Sequence, residues 1–362
     1  MSRTVTGKKR KKLYTLGGVV VAGLLLYTVA LPELFAGHYD RAEAESTSTE
    51  KALFTSRAGE EALTLDTVAY DKKMKALTNY ASSTSASTTR AWPVKTVYPN
   101  AGALLPFKRI VSYYGNFYSK GMGVLGQYPE EIMLQKLQHE VSVWNTADPT
   151  TPVVPAIHYI AVTAQGTAQS DGTYRLRMPA EQIQKAIDMG NKIHGETFLD
   201  IQVGLSSLPK ELPRLEPYLK QPHVHLGIDP EFAMHNGVKP GRVIGTMDAV
   251  DINYAANFLA KIVKDNNLPP KILVVHRFTE NMMTGYKRIV PLPEVQIVID
   301  MDGWGFAEKK VNTYKRVITQ EPVQFTGFKL FYKNDLLPPS KRMLSPGEIL
   351  KLQPAPSYIQ YQ

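Results

Sequence analysis

The chain has 362 residues, of which 43% are hydrophobic and 21% are charged, and its net charge is +9. This composition is typical of a folded globular protein and excludes a largely disordered one. The absence of cysteine excludes a disulfide framework, thiolate metal sites and a cysteine nucleophile. Six basic residues lie in the first twelve positions, which leaves 36 of the 42 against 33 acidic residues. That near balance excludes a broad phosphate-binding face, so we expect no nucleic-acid partner.

An uncharged segment at 13–31 follows the basic head at 1–12. Its nineteen residues, at about 1.5 Å each, approach the roughly 30 Å thickness of a bilayer's hydrocarbon core. Because the positive cluster precedes the segment, the head is expected in the cytoplasm and the rest of the chain outside it. We therefore predict a transmembrane anchor at 13–31 and a folded domain at the cell surface. A cleaved signal peptide, with a small-x-small site at 42–44, is the alternative.

Low-complexity sequence at 32–91 includes the serine- and threonine-rich runs ESTSTE from position 45 and ASSTSASTT from position 81. Such runs bury too little apolar surface to offset the entropy lost on ordering, so this stretch is predicted to be a stalk. A helix is possible between 51 and 80. The folded domain is predicted at 92–362.

Strand-like and helix-like segments alternate from residue 108 onward, in the order that implies a parallel sheet. Seven or eight such units over roughly 250 residues predict a closed (β/α)8 TIM-like barrel, with an open doubly wound sheet as the alternative. No glycine-rich nucleotide-binding motif follows a strand, which favours the barrel, and no cofactor is expected. The predicted strands are 109–115, 153–163, 197–205, 224–229, 271–278, 294–304 and 327–333, and the predicted helices are 129–144, 179–193, 209–219, 248–266 and 306–318.

Polar and aromatic side chains end six of the predicted strands, where the active site of such a barrel forms. Aromatic faces there suit stacking against a sugar. Apart from the acids described next, the candidate substrate-binding residues are Tyr113, Tyr114, Asn116, His158, Asp200, Gln202, His276, Arg277, Glu280 and Trp304.

Two carboxylates, Asp229 and Glu231, follow the fourth predicted strand, with Pro230 between them. Side chains two residues apart on a strand point the same way. Repulsion and partial burial would raise the pKa of one of them, giving an acid beside a charged base. Asp300 and Asp302 repeat this spacing at the sixth strand. The same Asp-Pro-Glu also suits a helix start, with Asp229 as N-cap and Pro230 at the first position.

The Asp-x-Glu pattern at the end of the fourth strand, with further acids on a later strand, resembles that of chitinase-like and lysozyme-like (β/α)8 glycoside hydrolases. The resemblance implies that Glu231 is the general acid and Asp229 its assistant, with Asp300 or Asp302 and Tyr114 in support. It also implies a polysaccharide substrate, here one of the cell envelope or the extracellular space.

Two other functions stay open. The first is a non-catalytic surface barrel that binds a glycan or a protein. The second is a metal-dependent phosphodiesterase that uses His158, His276 and the acids, although no metal site is predicted. The pair His223 and His225 opens its strand instead of ending it, so it is interpreted as structural.

Overall fold

The structure is a computed structural model that describes residues 64–80, 91–235 and 237–362. The predicted basic head at 1–12 and anchor at 13–31 lie outside the described residues, as does most of the stretch predicted to be a stalk. Within the described ranges, no helix combines the length and the apolar character that a membrane span requires.

Eight parallel strands form a closed barrel in which each strand pairs with the next and the last pairs with the first. At the closure, Ile110 of the first strand pairs with Tyr358 of the last. The predicted (β/α)8 barrel is therefore confirmed, and the open-sheet alternative is wrong. The strands are β1 Arg109–Gly115, β2 Val153–Ala164, β3 Glu196–Ile201, β4 Val224–Ile228, β5 Lys271–Arg277, β6 Val295–Met301, β7 Phe325–Leu330 and β8 Tyr358–Tyr361.

Helices connect most of the barrel strands, as the alternating pattern predicts. The connection predicted as one helix at 209–219 is instead two short helices joined by a 3-10 turn at Leu212–Leu215. Pro213 and Pro217 each remove a backbone donor that a continuous helix would need, whereas Pro209 lies in the first turn, where proline is tolerated. The helices are α1 Thr67–Leu77, α2 Glu130–Ala147, α3 Ala180–Lys192, α4 Leu208–Glu211, α5 Glu216–Leu219, α6 Ala249–Asn266, α7 Ala307–Thr313 and α8 Pro346–Ile349.

Smaller elements complete the connections. The strand Arg175–Arg177 pairs antiparallel with β2, and the strands Met247–Asp248 and Met283–Thr284 pair with each other. A π-helical segment at Tyr314–Thr319 continues α7. The 3-10 turns are Val124–Gly126, Pro230–Phe232, Glu280–Met282, Tyr286–Arg288 and Asn334–Leu336.

The barrel interior is apolar only near the amino ends of its strands. There Ile110, Phe198 and Phe325 pack together, and Tyr70 and Met74 of α1 pack against them. Both α1 side chains are buried. The helix therefore covers the amino-terminal end of the barrel. It agrees with the helix considered at 51–80, and this part of the 32–91 stretch is packed against the barrel instead of forming stalk.

Candidate active site

The interior of the barrel toward the carboxyl ends of its strands is lined with polar side chains. Side chains of a strand point alternately into and out of the barrel. Tyr114 therefore points inward like Ile110 of the same strand, and Asp200 points inward like Phe198. All members of the resulting cluster except Glu231, which is half-buried, are buried. The cluster consists of Tyr114, His158, Asp200, Gln202, Asp229, Glu231, His276, Asp300, Asp302, Lys329, Tyr358 and Gln360.

Asp200 lies between two histidines at the centre of the cluster. Its Oδ1 is 3.5 Å from Nε2 of His158 and 3.5 Å from Nε2 of His276. Its Oδ2 accepts a hydrogen bond of 3.0 Å from the hydroxyl of Tyr114. Among the described residues, Asp200 and the two histidines are the group whose ligand atoms lie close enough together to hold a metal ion.

The two histidines differ in charge. Burial lowers the pKa of His158 to about 4, although Asp200 opposes the shift. Burial also disfavours the charge of His276, but Asp200, Asp300 and Asp302 outweigh burial and raise its pKa well above the usual value. We therefore expect His158 to be neutral and His276 to be cationic near pH 7.

Asp302 is an ionised carboxylate held by two cations. Its Oδ1 lies 3.0 Å from Nζ of Lys329, and its Oδ2 lies 3.2 Å from Nδ1 of His276. Burial alone would raise the pKa of Asp302, but Lys329 and His276 lower it below the usual value. Asp300 lies 3.5 Å from the same His276 nitrogen, yet burial raises its pKa.

Asp229 serves as a turn cap and as a member of the cluster at once. Its Oδ1 accepts a hydrogen bond of 3.0 Å from the backbone N–H of Glu231, as the N-cap of the turn Pro230–Phe232. Its Oδ2 accepts one of 3.3 Å from Gln202. The interpretation of Asp-Pro-Glu as a helix start is therefore confirmed, and it is compatible with membership of the cluster.

The pKa values of Asp229 and Glu231, the two acids that follow β4, are both raised. Burial raises the pKa of Asp229 to about 7, and Asp200 and Asp302 contribute to the rise. Burial raises the pKa of Glu231 to about 8, with further contributions from Asp229 and Asp302. Glu231 therefore keeps a proton near pH 7 while Asp302 is charged. Environments that push the pKa values of two carboxyls apart create an acid and a base in one site.

Two of the predicted site residues point away from the cluster. Tyr113 neighbours Tyr114 in β1 and so faces outward, where its hydroxyl lies 3.0 Å from that of Tyr332. Arg277 follows His276 and also faces outward, 2.5 Å from Glu321. Strand alternation explains both placements.

The other three predicted residues lie outside the cluster, in the loops that follow strands. Asn116 holds a turn, because its Oδ1 accepts a hydrogen bond of 2.9 Å from the backbone N–H of Tyr118. Glu280 is exposed and pairs with Arg316. Trp304 is half-buried, with Nζ of Lys309 4.7 Å from its ring.

Three members of the cluster were not predicted from the sequence. Lys329 lies in the apolar strand β7, and its Nζ lies 3.8 Å from the ring centre of Tyr114. Tyr358 and Gln360 belong to β8, which was not predicted. The hydroxyl of Tyr358 lies 2.6 Å from Nδ1 of His158. A signal was present, because polar and apolar residues alternate over 358–362.

No protein-family model matches the chain, and no curated protein does. Solved structures similar to it include a GH18 chitinase from Pseudoalteromonas aurantia, with 13% identity and a TM-score of 0.37 over 70% of this chain and 93% of the chitinase. A cellulase is also similar, with 11% identity and a TM-score of 0.35 over 61% of this chain and 65% of the cellulase. Both similarities are distant.

Proposed function

We propose that the protein is a glycoside hydrolase that acts on a polysaccharide of the cell envelope or the extracellular space. The observation that carries the proposal is the convergence of carboxyls at the carboxyl end of one barrel, where the turn capped by Asp229 presents Glu231 and where Lys329 and His276 hold Asp302. Burial raises the pKa of Glu231, and the two cations lower that of Asp302. Glycoside hydrolysis requires such a pair, since one carboxyl protonates the leaving oxygen while another stabilises positive charge on the sugar.

In the proposed reaction, the proton of Glu231 moves to the glycosidic oxygen as the bond from that oxygen to the anomeric carbon breaks. Asp302, or the substrate's own acetamido group, stabilises the oxocarbenium-like state. Water then adds to the anomeric carbon, and its proton returns to Glu231. Lys329 and His276 keep Asp302 charged throughout.

Asp229 is proposed as a positioning residue. Both of its carboxyl oxygens are engaged, one with the backbone of Glu231 and one with Gln202. The first contact fixes the turn that presents Glu231. The negative charge of Asp229 also helps to keep the neighbouring acid protonated.

The replacement Glu231→Gln tests the catalytic role, because it keeps the shape of the side chain and removes the transferable proton. We expect kcat to fall by about 10²- to 10⁴-fold, the usual contribution of a general acid. The measurement is release of reducing sugar from peptidoglycan or chitin, on whichever substrate the unmodified protein is active. Glu131→Gln is the matched control, because Glu131 is exposed on α2 and lies outside the cluster. Equal turnover of both variants would refute the role of Glu231.

A non-catalytic barrel that binds a glycan or a protein is the second candidate. It is favoured by the cap formed by Asp229, which gives the Asp-Pro-Glu sequence a purely structural reason to exist. Titration of the Glu231 carboxyl by NMR separates the two functions. A pKa close to 8 supports acid catalysis, and an ordinary value of about 4.3 supports the binding protein.

A further inference from the structure

Three possible metal-ligand atoms converge in the barrel interior. His158, Asp200 and His276 each offer one ligand atom within 4.8 Å of the other two, and Oδ1 of Asp200 is 3.5 Å from Nε2 of each histidine. Ligands bound to a tetrahedral metal ion at about 2.0–2.1 Å lie about 3.3 Å apart. The spacing therefore suits three ligands around one ion.

These three atoms also lack hydrogen bonds. Their residues are fully buried, and within the described part of the chain none of the three atoms has a hydrogen-bond partner. Buried polar atoms are normally paired. The three atoms, one on each of β2, β3 and β5, lie at ion-pair distance without a hydrogen bond, and a metal ion shared between them would satisfy all three.

The opposite atoms of the same side chains are held in place. Nδ1 of His158 lies 2.6 Å from the hydroxyl of Tyr358, and Oδ2 of Asp200 accepts from Tyr114. Nδ1 of His276 makes no hydrogen bond among the described residues but lies at ion-pair distance from two carboxylates, 3.2 Å from Asp302 and 3.5 Å from Asp300. Metal-binding residues are typically oriented by such outer contacts, with the second histidine nitrogen on a hydroxyl or carboxylate.

A glycine on the adjacent strand leaves room beside the three atoms. A Cβ atom at Gly227 in β4 would lie 2.5 Å from Nε2 of His158 and too close to Oδ1 of Asp200. Any larger residue at 227 would therefore occupy the space in front of two of the three ligand atoms.

We propose that His158, Asp200 and His276 bind one divalent transition metal ion, of which Zn²⁺ fits best. Two imidazoles and one carboxylate match the donors that Zn²⁺ prefers, whereas Mg²⁺ and Ca²⁺ prefer oxygen ligands. From the sequence, no metal site was predicted, and His158 and His276 were named together with a metal only in the alternative of a metal-dependent phosphodiesterase. Neither Glu231 nor Asp302 is a ligand, but His276 contacts Asp302 and would release the proton on Nε2 when Zn²⁺ binds there, keeping the Nδ1 proton toward Asp302.

The test is Zn²⁺ binding by the full chain in detergent, after treatment with a chelator. We expect calorimetry to show one Zn²⁺ per chain and the melting temperature to rise with Zn²⁺ but not with Mg²⁺. His158→Gln and His276→Gln should each weaken binding by at least about tenfold. His139→Gln, at an exposed position of α2, is the control and should bind as the unmodified chain does. Absence of Zn²⁺ binding, or equal binding by all variants, would overturn the proposal.

A milder variant keeps the test decisive if loss of a buried histidine prevents folding. Tyr358→Phe retains the ring and removes the hydroxyl that holds His158, so Zn²⁺ affinity should fall by about tenfold in a folded protein. Unchanged affinity would contradict the site. The result is distinguishable from failure of the proposed hydrolysis, which is measured as sugar release by variants at Glu231.

Discussion

The raised pKa of Glu231 suits an acid catalyst, but it lowers the stability of the fold as pH rises. Its raised pKa arises because burial and the neighbouring acids disfavour its charge. Between the unfolded pKa of about 4.3 and the folded pKa of about 8, the folded chain holds a proton that the unfolded chain releases. Stability contributed by this group is therefore full below pH 4.3 or so and is lost as pH rises toward 8.

Glu231→Gln should accordingly stabilise the fold. Glutamine carries no charge, so the gain in the free energy of unfolding should be small near pH 4 and grow to about 1–3 kcal/mol at pH 8, after a discount for the water that reaches this half-buried side chain. Urea denaturation at the two pH values measures it. A variant less stable than the unmodified chain at pH 8 would contradict the raised pKa.

The pH profile of activity should depend on the charge of Asp229, which neighbours the proposed acid Glu231. Turnover should decline as pH rises through about 8, because Glu231 then loses its proton. Asp229→Asn removes a charge that raises the pKa of Glu231, and asparagine keeps an oxygen that can cap the turn. The alkaline limb of kcat/KM should therefore move to lower pH. A limb that stays in place would show that another group is the acid.

Nine members of the cluster could be predicted because polar residues at strand ends are conspicuous in a sequence. Tyr113 and Arg277 were predicted with them because each is adjacent to a cluster residue in its strand. One sequence does not determine which of two adjacent residues points into the barrel. Lys329 was not predicted, because it lies within an apolar strand and not in a run of polar residues at a strand end. Its partner Asp302 comes from a different strand, so the sequence around Lys329 does not indicate the pair.

At the scale of elements, strands flanked by clear helices were predicted nearly to their observed bounds. β8 was missed because it has four residues and follows a proline-containing loop. Its place is fixed by pairing with the preceding strand β7 and with β1, which is distant in the chain. Non-local pairing of this kind leaves little trace in local sequence.

Helix α1 offers a direct test of the packing at the amino-terminal end of the barrel. Met74 is buried against the barrel, whereas Val68 on the same helix is 79% exposed. Met74→Ala should lower the free energy of unfolding by about 2–3 kcal/mol, and Val68→Ala should change it by less than about 0.5 kcal/mol. Thermal or urea denaturation measures both. Equal effects would mean that α1 does not pack there in solution.

At the scale of the whole molecule, the predicted anchor at 13–31 implies that the barrel is attached to a membrane and lies outside the cytoplasm. We expect the full chain to sediment with membranes and the barrel to be removed from intact cells by added protease. A chain without residues 1–31 should leave the membrane fraction and keep its fold, since the described residues all follow that segment. Protection of the barrel from protease in intact cells would contradict an external location.

The position of α1 has a consequence for orientation. The described part of the chain begins at this helix, on the end of the barrel opposite Glu231. A tether that arrives from a membrane through residue 64 would therefore hold the barrel by its base. The carboxyl pair would then lie on the end of the barrel away from the point of attachment, so that the tether itself would not obstruct the approach of a long polymer.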